Sequence, residues 1–384
     1  MTEPIVAEVK IWRVLVPLLK EWCADEQFGG HHDGPPRTII YLRDSDGNSG
    51  WGEGLSTATG KSEEELLRQL LGLRVSLARL ASLPLPAPNY FQVPLSPSPF
   101  AQNEAAQRHR IRHPLQGATE MALLDLIARR AGVSLSTLAG GPWRDRVPVD
   151  YWMGRVSPEK AASCVQRAKS LGFSGVKIKT TLEDPNVERL EAIKSAAGGS
   201  FHVTVDANGR FYRLDDALPT LLAMDAVGNM NVLEDPFHRL HLHEFAALRP
   251  RLRARLAVHI DPPESLFHVL SSGAAGCLNI DSHTQGLLSW RYQAAAADAA
   301  NLAIWHGSVV DLGIATAAQL HFAAATPNCQ LPGDQAGPWL RHSSLLTTRF
   351  VVESGHVLVP PGAGLGVEID RDALDRYTLQ HWHT

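Results

Sequence analysis

Cysteine is scarce in this chain of 384 residues, and the four present, Cys23, Cys164, Cys277 and Cys329, lie far apart with no CxxC pair. That spacing argues against a zinc knuckle and against a disulfide framework. Long apolar runs are missing as well: no stretch of about 18 apolar residues occurs, so no membrane-spanning helix is expected. Neither sign of charge dominates, with 36 Lys+Arg against 40 Asp+Glu. The densest basic stretch, Arg249 to Arg255, alternates with Leu252 and Ala254 and reads as a solvated helix face, so no nucleic-acid partner is expected. The opening Met1-Thr-Glu-Pro-Ile-Val-Ala-Glu lacks the basic and apolar regions of a secretory leader, and a cytoplasmic, reduced protein is the expectation. What is present is an ordinary globular balance, 44% hydrophobic and 20% charged, at a length that allows two or three domains.

The order of patterns changes once along the chain. From Ile5 to Glu53, alternating apolar stretches and an Asp44-Ser-Asp-Gly-Asn turn predict an antiparallel meander ending in Gly50-Trp-Gly-Glu53. Helical periodicity follows over 62–80. Six prolines between Pro84 and Pro99 exclude a helix or central strand there and predict an extended loop. A buried helix is expected over 118–131, where apolar residues lie on more than one face. After Val147 strands and helices alternate through Leu302-Ala-Ile-Trp-His306, which means parallel strands with crossover helices. From Phe350 a short strand pair with a Ser-Gly turn predicts a return to the first domain, because a lone hairpin is barely stable.

Within the alternating region, four apolar runs end in charge: Lys177-Ile-Lys179, Val205-Asp206, Leu233-Glu234 and Val258-His-Ile-Asp261. The charged residues recur about every 27 residues, the length of one strand, one helix and two loops. Parallel strands closed into a barrel share one C-terminal rim, so these residues would converge. Strand alternation points Lys177 and Lys179 the same way. Two adjacent ammonium groups would depress each other's pKa, making one a usable base. Asp206, Glu234 and Asp261 together fit a hard dication, Mg²⁺, which takes carboxylate oxygens and leaves positions for a substrate. Asp281 and His306 end the next two strands, and a carboxylate holding one ring nitrogen of His306 would fix its tautomer and raise its basicity. Taken singly, each has a plainer reading: a solvated lysine pair, strand-end caps, a core histidine.

The ordered set Lys177-x-Lys179, Asp206-Ala-Asn208, Glu234-Asp235-Pro236, Asp261, Asn279-Ile-Asp281 and Trp305-His306-Gly-Ser resembles the enolase superfamily, in its mandelate racemase-like branch. Gly50-Trp-Gly-Glu53, Leu138-Ala-Gly-Gly141 and Leu312 to His321 extend the resemblance over nearly the whole chain. It implies an α/β fold, a modified TIM barrel (β/α)7β over 146–348, with an α+β capping domain from 1–140 and a C-terminal return over 349–384. It implies Mg²⁺ on Asp206, Glu234 and Asp261, substrate carboxylate on Lys177 with Asn208 nearby, Lys179 as base on one face, and His306 with Asp281 as acid/base on the other. The proton alpha to a carboxylate is too weakly acidic for water to remove, and a cation with Lys177 on the carboxylate would stabilise the enediolate.

Departures narrow the reading. The third ligand is commonly Glu in this branch, and Glu264 rivals Asp261. The muconate-cycloisomerizing branch usually has Lys where Asp281 stands. Asp334, in Leu331-Pro-Gly-Asp334, is either a site residue from the last strand or part of a plain turn, and the turn is the first expectation. With a base on each face, dehydration of a sugar acid to a 2-keto-3-deoxy acid is the first expectation, because the polar loop 21–35, with His31 and His32, suits a polyhydroxy substrate. Racemisation or epimerisation of a 2-hydroxy acid is the alternative, and a barrel kept only for binding is the alternative of another class. The resemblance also implies a homo-oligomer, since family members are frequently dimers or octamers.

Overall fold

The computed structural model describes residues 3–22, 34–56, 61–76, 115–261, 265–283 and 285–384. His31, His32, Glu264 and the Pro84–Pro99 loop lie outside the described residues.

The N-terminal meander forms as its alternation requires. β1 (Val6–Val14), β2 (Arg37–Asp44) and β3 (Ser49–Leu55) pair antiparallel, and β1 also takes on the last strand of the chain, Thr378–His383. β3 presses against the helix Gln116–Ala131. A Cβ at Gly52 would stand 1.9 Å from the Ala118 carbonyl oxygen, and one at Gly50 2.2 Å from that of Ala122. The glycines of Gly50-Trp-Gly-Glu53 are therefore the condition of that contact. Asp125 of the same helix accepts from the Trp51 backbone N–H at 2.9 Å, fixing the register between helix and sheet.

β4 (Arg146–Pro148) leads into seven parallel strands: β5 (Tyr151–Met153), β6 (Gly175–Lys179), β7 (His202–Asp206), β8 (Met230–Glu234), β9 (Arg255–Ile260), β10 (Cys277–Ile280) and β11 (Ala303–His306). Each neighbour in space is the neighbour in sequence, as short right-handed crossovers produce. The remaining gap between β11 and β5 is closed by the segment 328–333. It makes parallel bridges Ile304↔Cys329 and Val149↔Gly333, and the Asp150 N–H donates to the Gly333 carbonyl at 2.7 Å. The fold is the modified TIM barrel with its antiparallel cap.

The C-terminal hairpin, β12 (Val352–Glu353) and β13 (His356–Leu358), does not join the cap sheet as its sequence suggests. It pairs with β4, and the return to the cap is made by β14 (Thr378–His383). Alternation decides which residues line the barrel. Val232, Ala257, Cys277 and Trp305 form a small apolar cluster of their own, separate from the main core under the helices. Among the described residues no helix is long and apolar enough to cross a membrane.

Candidate active site

Register places the charged strand ends side by side. Lys179 is level with Asp206 and Asp206 with Glu234, so all three, with Lys177 one pleat below, face the barrel interior. Lys177 Nζ lies 2.7 Å from Glu234 Oε2, 3.1 Å from Asp206 Oδ2 and 3.1 Å from Asp334 Oδ2. Its ammonium is 5.8 Å from the centre of the Trp305 ring, across the interior on β11. Lys179 Nζ donates to Asp206 Oδ2 at 2.5 Å and to Asn208 Oδ1 at 2.9 Å. Asn208 sits in the left-handed region, φ 47°, a conformation its short polar side chain tolerates. Asn279 on β10 donates to Glu234 Oε1 at 2.6 Å.

The charges set one another. Burial works against the Lys177 ammonium, but the carboxylates of Asp334, Glu234 and Asp206 outweigh it and hold its pKa well above the ordinary value. The mutual depression expected of the lysine pair is thus absent at Lys177, whose ammonium has three carboxylates within 3.1 Å. Burial also opposes the Asp206 carboxylate, and Lys179 and Lys177 keep it far below the usual range. Glu234 is pushed up, first by burial and then by Asp206.

Asp334 follows the closing segment 328–333, and that position brings it to Lys177 rather than leaving it in a plain turn. Its position after the last expected strand allows this, but the segment has no strand pattern to favour it over a turn.

Two expected placements are corrected. Asp261 lies one residue beyond the end of β9 and is exposed. The β9 side chain that reaches the acids is His259, whose ring nitrogen lies within 4.8 Å of carboxylate oxygens of Glu234 and Asp235. His306 pairs in register with Ile280, on the face opposite Trp305, and its ring stacks on Trp290 of the helix Leu287–Ala299 at 4.8 Å. His306 Nδ1 bonds the Gly307 carbonyl at 2.7 Å, and burial pushes its pKa down to about 4. It is a core histidine between sheet and helix.

Asp281 consequently holds a different imidazole. Its Oδ2 is 2.9 Å from His259 Nε2 and its Oδ1 is 3.3 Å from His283 Nδ1. Burial opposes its charge, and the bonds from His259 and His283 keep its pKa well below the ordinary value. β6 and β10 stand four positions apart in the sheet order, so Lys179 and Asp281 rise from opposite walls. A separate cavity of about 460 Å³ lies at the other, N-terminal ends of the strands, lined by His202, Met230, Asn231 and Arg255, and contains none of the rim lysines.

A barrel whose C-terminal rim gathers Lys177, Lys179, Asp206 and Glu234 under a cap is the architecture of enolase-type enzymes. Residues 159–373 match the family model described as enolase C-terminal domain-like. The chain belongs to the enolase superfamily, in the branch that includes mandelate racemase and the muconate cycloisomerases. It is 30% identical over 274 residues to muconate cycloisomerase 1 of Rhodococcus opacus, covering 68% of this chain and 72% of that one. Among solved structures, a muconate lactonizing enzyme from Pseudomonas fluorescens complexed with muconolactone superposes with TM-score 0.80 at 21% identity, over 98% of this chain and 100% of that one. A substrate-liganded L-Ala-D/L-Glu epimerase from Bacillus subtilis gives TM-score 0.78 at 21% identity, over 94% and 98%. Members of this superfamily typically bind Mg²⁺. The residues here fit a divalent ion, because Asp206 and Glu234 already turn oxygens toward one shared cation, Lys177, and His259 and Asp235 stand beside Glu234.

Proposed function

We propose that this chain is an isomerase that moves the proton alpha to the carboxylate of a small organic acid, with Lys179 handling that proton. The observation that supports it is the placement of Lys179: at the rim, donating to Asp206 and Asn208, with Lys177 fixed beside it. Lys177, held as an ammonium among three carboxylates, pairs with a substrate carboxylate and opposes the charge that develops on it. A divalent cation on Asp206, Glu234 and a β9 ligand would supply further stabilisation of that charge. Asp281 on the opposite wall, steadied by two histidines, places a carboxylate across from Lys179, the two-faced arrangement that racemisation or epimerisation uses.

Isomerisation is preferred to dehydration of a sugar acid on one ground. Loss of a hydroxyl requires a protonated group at the leaving oxygen, and the residue expected to supply it, His306, faces the helix and is uncharged at neutral pH. The relatives named as cycloisomerases and an epimerase support the same class. The test is a panel of 2-hydroxy, sugar and N-acyl amino acids incubated with the protein and a divalent ion in heavy water. Deuterium entering at the alpha carbon with the carbon skeleton kept supports isomerisation. A 2-keto-3-deoxy product would restore the dehydratase, and no exchange with any acid would remove the reading altogether.

A further inference from the structure

β7 and β8 present carboxylates at the rim, and β9 presents an imidazole. Glu234 is level with Ala257, so His259, two residues on, faces the same interior at the mouth of the barrel. Of its neighbours, Asp235 is already committed: its Oδ2 accepts from Arg239 Nε at 2.7 Å and its Oδ1 from the His259 backbone N–H at 3.0 Å. The imidazole's tautomer is set from both sides. Arg239 Nη2 can only donate and lies 3.1 Å from Nδ1, so Nδ1 carries the lone pair. Nε2 then donates to Asp281 Oδ2 at 2.9 Å. A carboxylate behind an imidazole orients the ring and raises the basicity of the nitrogen in front, as is common where histidine binds a metal.

We propose that His259 Nδ1 is a ligand of this protein's divalent-ion site, beside Glu234, and that this nitrogen makes the site select a borderline ion such as Zn²⁺ over Mg²⁺. Mg²⁺ is hard, prefers oxygen and gives up water reluctantly, whereas imidazole suits zinc and the later transition metals. On binding, Nδ1 exchanges its hydrogen bond from Arg239 for the ion, Arg239 keeps Asp235 through Nε, and Asp281 keeps Nε2. Asp281 is then the positioning residue of His259. The inference takes its location from the proposed reaction site, but its readout is binding, so a failed exchange assay leaves it standing.

The test titrates the full-length, metal-stripped protein with Zn²⁺ and with Mg²⁺ by calorimetry, and records pulsed EPR of the Mn²⁺-loaded protein as a probe of ligand type. The expected spectrum shows nitrogen hyperfine coupling in the wild type and none in His259→Asp. The preference for Zn²⁺ over Mg²⁺ should shrink by about tenfold or more in that variant. Asp281→Asn should keep the nitrogen coupling while weakening Zn²⁺ about 10- to 100-fold. A wild-type spectrum without nitrogen coupling overturns the proposal, and so does an unchanged Zn²⁺/Mg²⁺ ratio in His259→Asp. Failure of the wild type to bind any divalent ion overturns it as well, leaving Arg239 and the two lysines as the site's permanent cations. Should His259→Asp not fold, the wild-type spectrum and Asp281→Asn decide the matter.

Discussion

The rim cluster around Lys177 and the cluster where cap meets barrel use the same parts, buried acids and buried cations, and differ in how their charge is closed. At the junction, Asp311 accepts from His283 Nε2 at 2.9 Å, Ser308 Oγ at 3.0 Å and Gln319 Nε2 at 2.8 Å, and faces Arg37 at 3.4 Å. Glu53, from the cap, accepts the backbone N–H groups of Leu312 and Ala315 at 2.6 and 2.9 Å, at the start of the helix Gly313–Ala324. Those donors come from fixed backbone and from both domains, so the cluster welds them. At the rim, three carboxylates crowd one ammonium, and Asp334 Oδ1 is buried with no hydrogen-bond partner. Acceptor capacity left over inside a protein is costly unless something else is meant to use it. Unmet hydrogen bonds occur in both clusters, Arg37 Nε and Nη1 at the junction and Asp334 Oδ1 at the rim, so what separates them is that the junction's acids are held by donors from cap and barrel while the rim's acids share one ammonium.

The largest expected break in that contrast is at Lys179. Lys179→Ala should lower alpha-proton exchange, followed by NMR in heavy water, by about 10³-fold while circular dichroism stays unchanged. Arg37→Met should do the reverse, costing about 3–5 kcal/mol in chemical denaturation by leaving Asp311 without its cap-side cation. A smaller effect concerns pH. Burial, and then Asp311, raise the Glu53 carboxyl from 4.5 to about 7, so the fold favours its protonated form. The stability that this proton contributes is complete below pH 4.5 and is lost as pH rises through about 7, and Glu53→Gln should flatten that part of the pH–stability curve. The smallest effect is expected at His306. His306→Phe keeps the stack on Trp290 and deletes an unpartnered Nε2 together with the bond to the Gly307 carbonyl, so denaturation should shift by no more than about 1–3 kcal/mol and exchange should be unchanged. A large loss of exchange in that variant would return His306 to the site.

Much of this was legible in the residue order, and the failures have two causes. The interval between charged strand ends gave the barrel and brought Lys177, Lys179, Asp206 and Glu234 together, because period and alternation are local properties. Asp261 and His306 were misplaced because rim position depends on register between strands. Asp261 has the parity of His259 but stands two residues on, roughly 7 Å farther along the strand direction. His306 has the parity of Ile280, and only the pairing of Asn279 with Trp305 shows which of the two faces inward. Asp334 reads first as a turn for another reason: it follows a segment that closes the barrel by a few bridges with no alternating pattern to mark it as a strand.

That closing segment also fixes when the site can exist. Val149 and Gly333 come from the two ends of the barrel sequence, and contacts so distant in the chain carry the largest loop-closure cost. Until the seam shuts, Lys177 has only Asp206 and Glu234 beside it. The complete carboxylate shell therefore depends on the seam being shut, and a chain with an open barrel, however rich in secondary structure, would carry the rim lysines without the third carboxylate at Lys177.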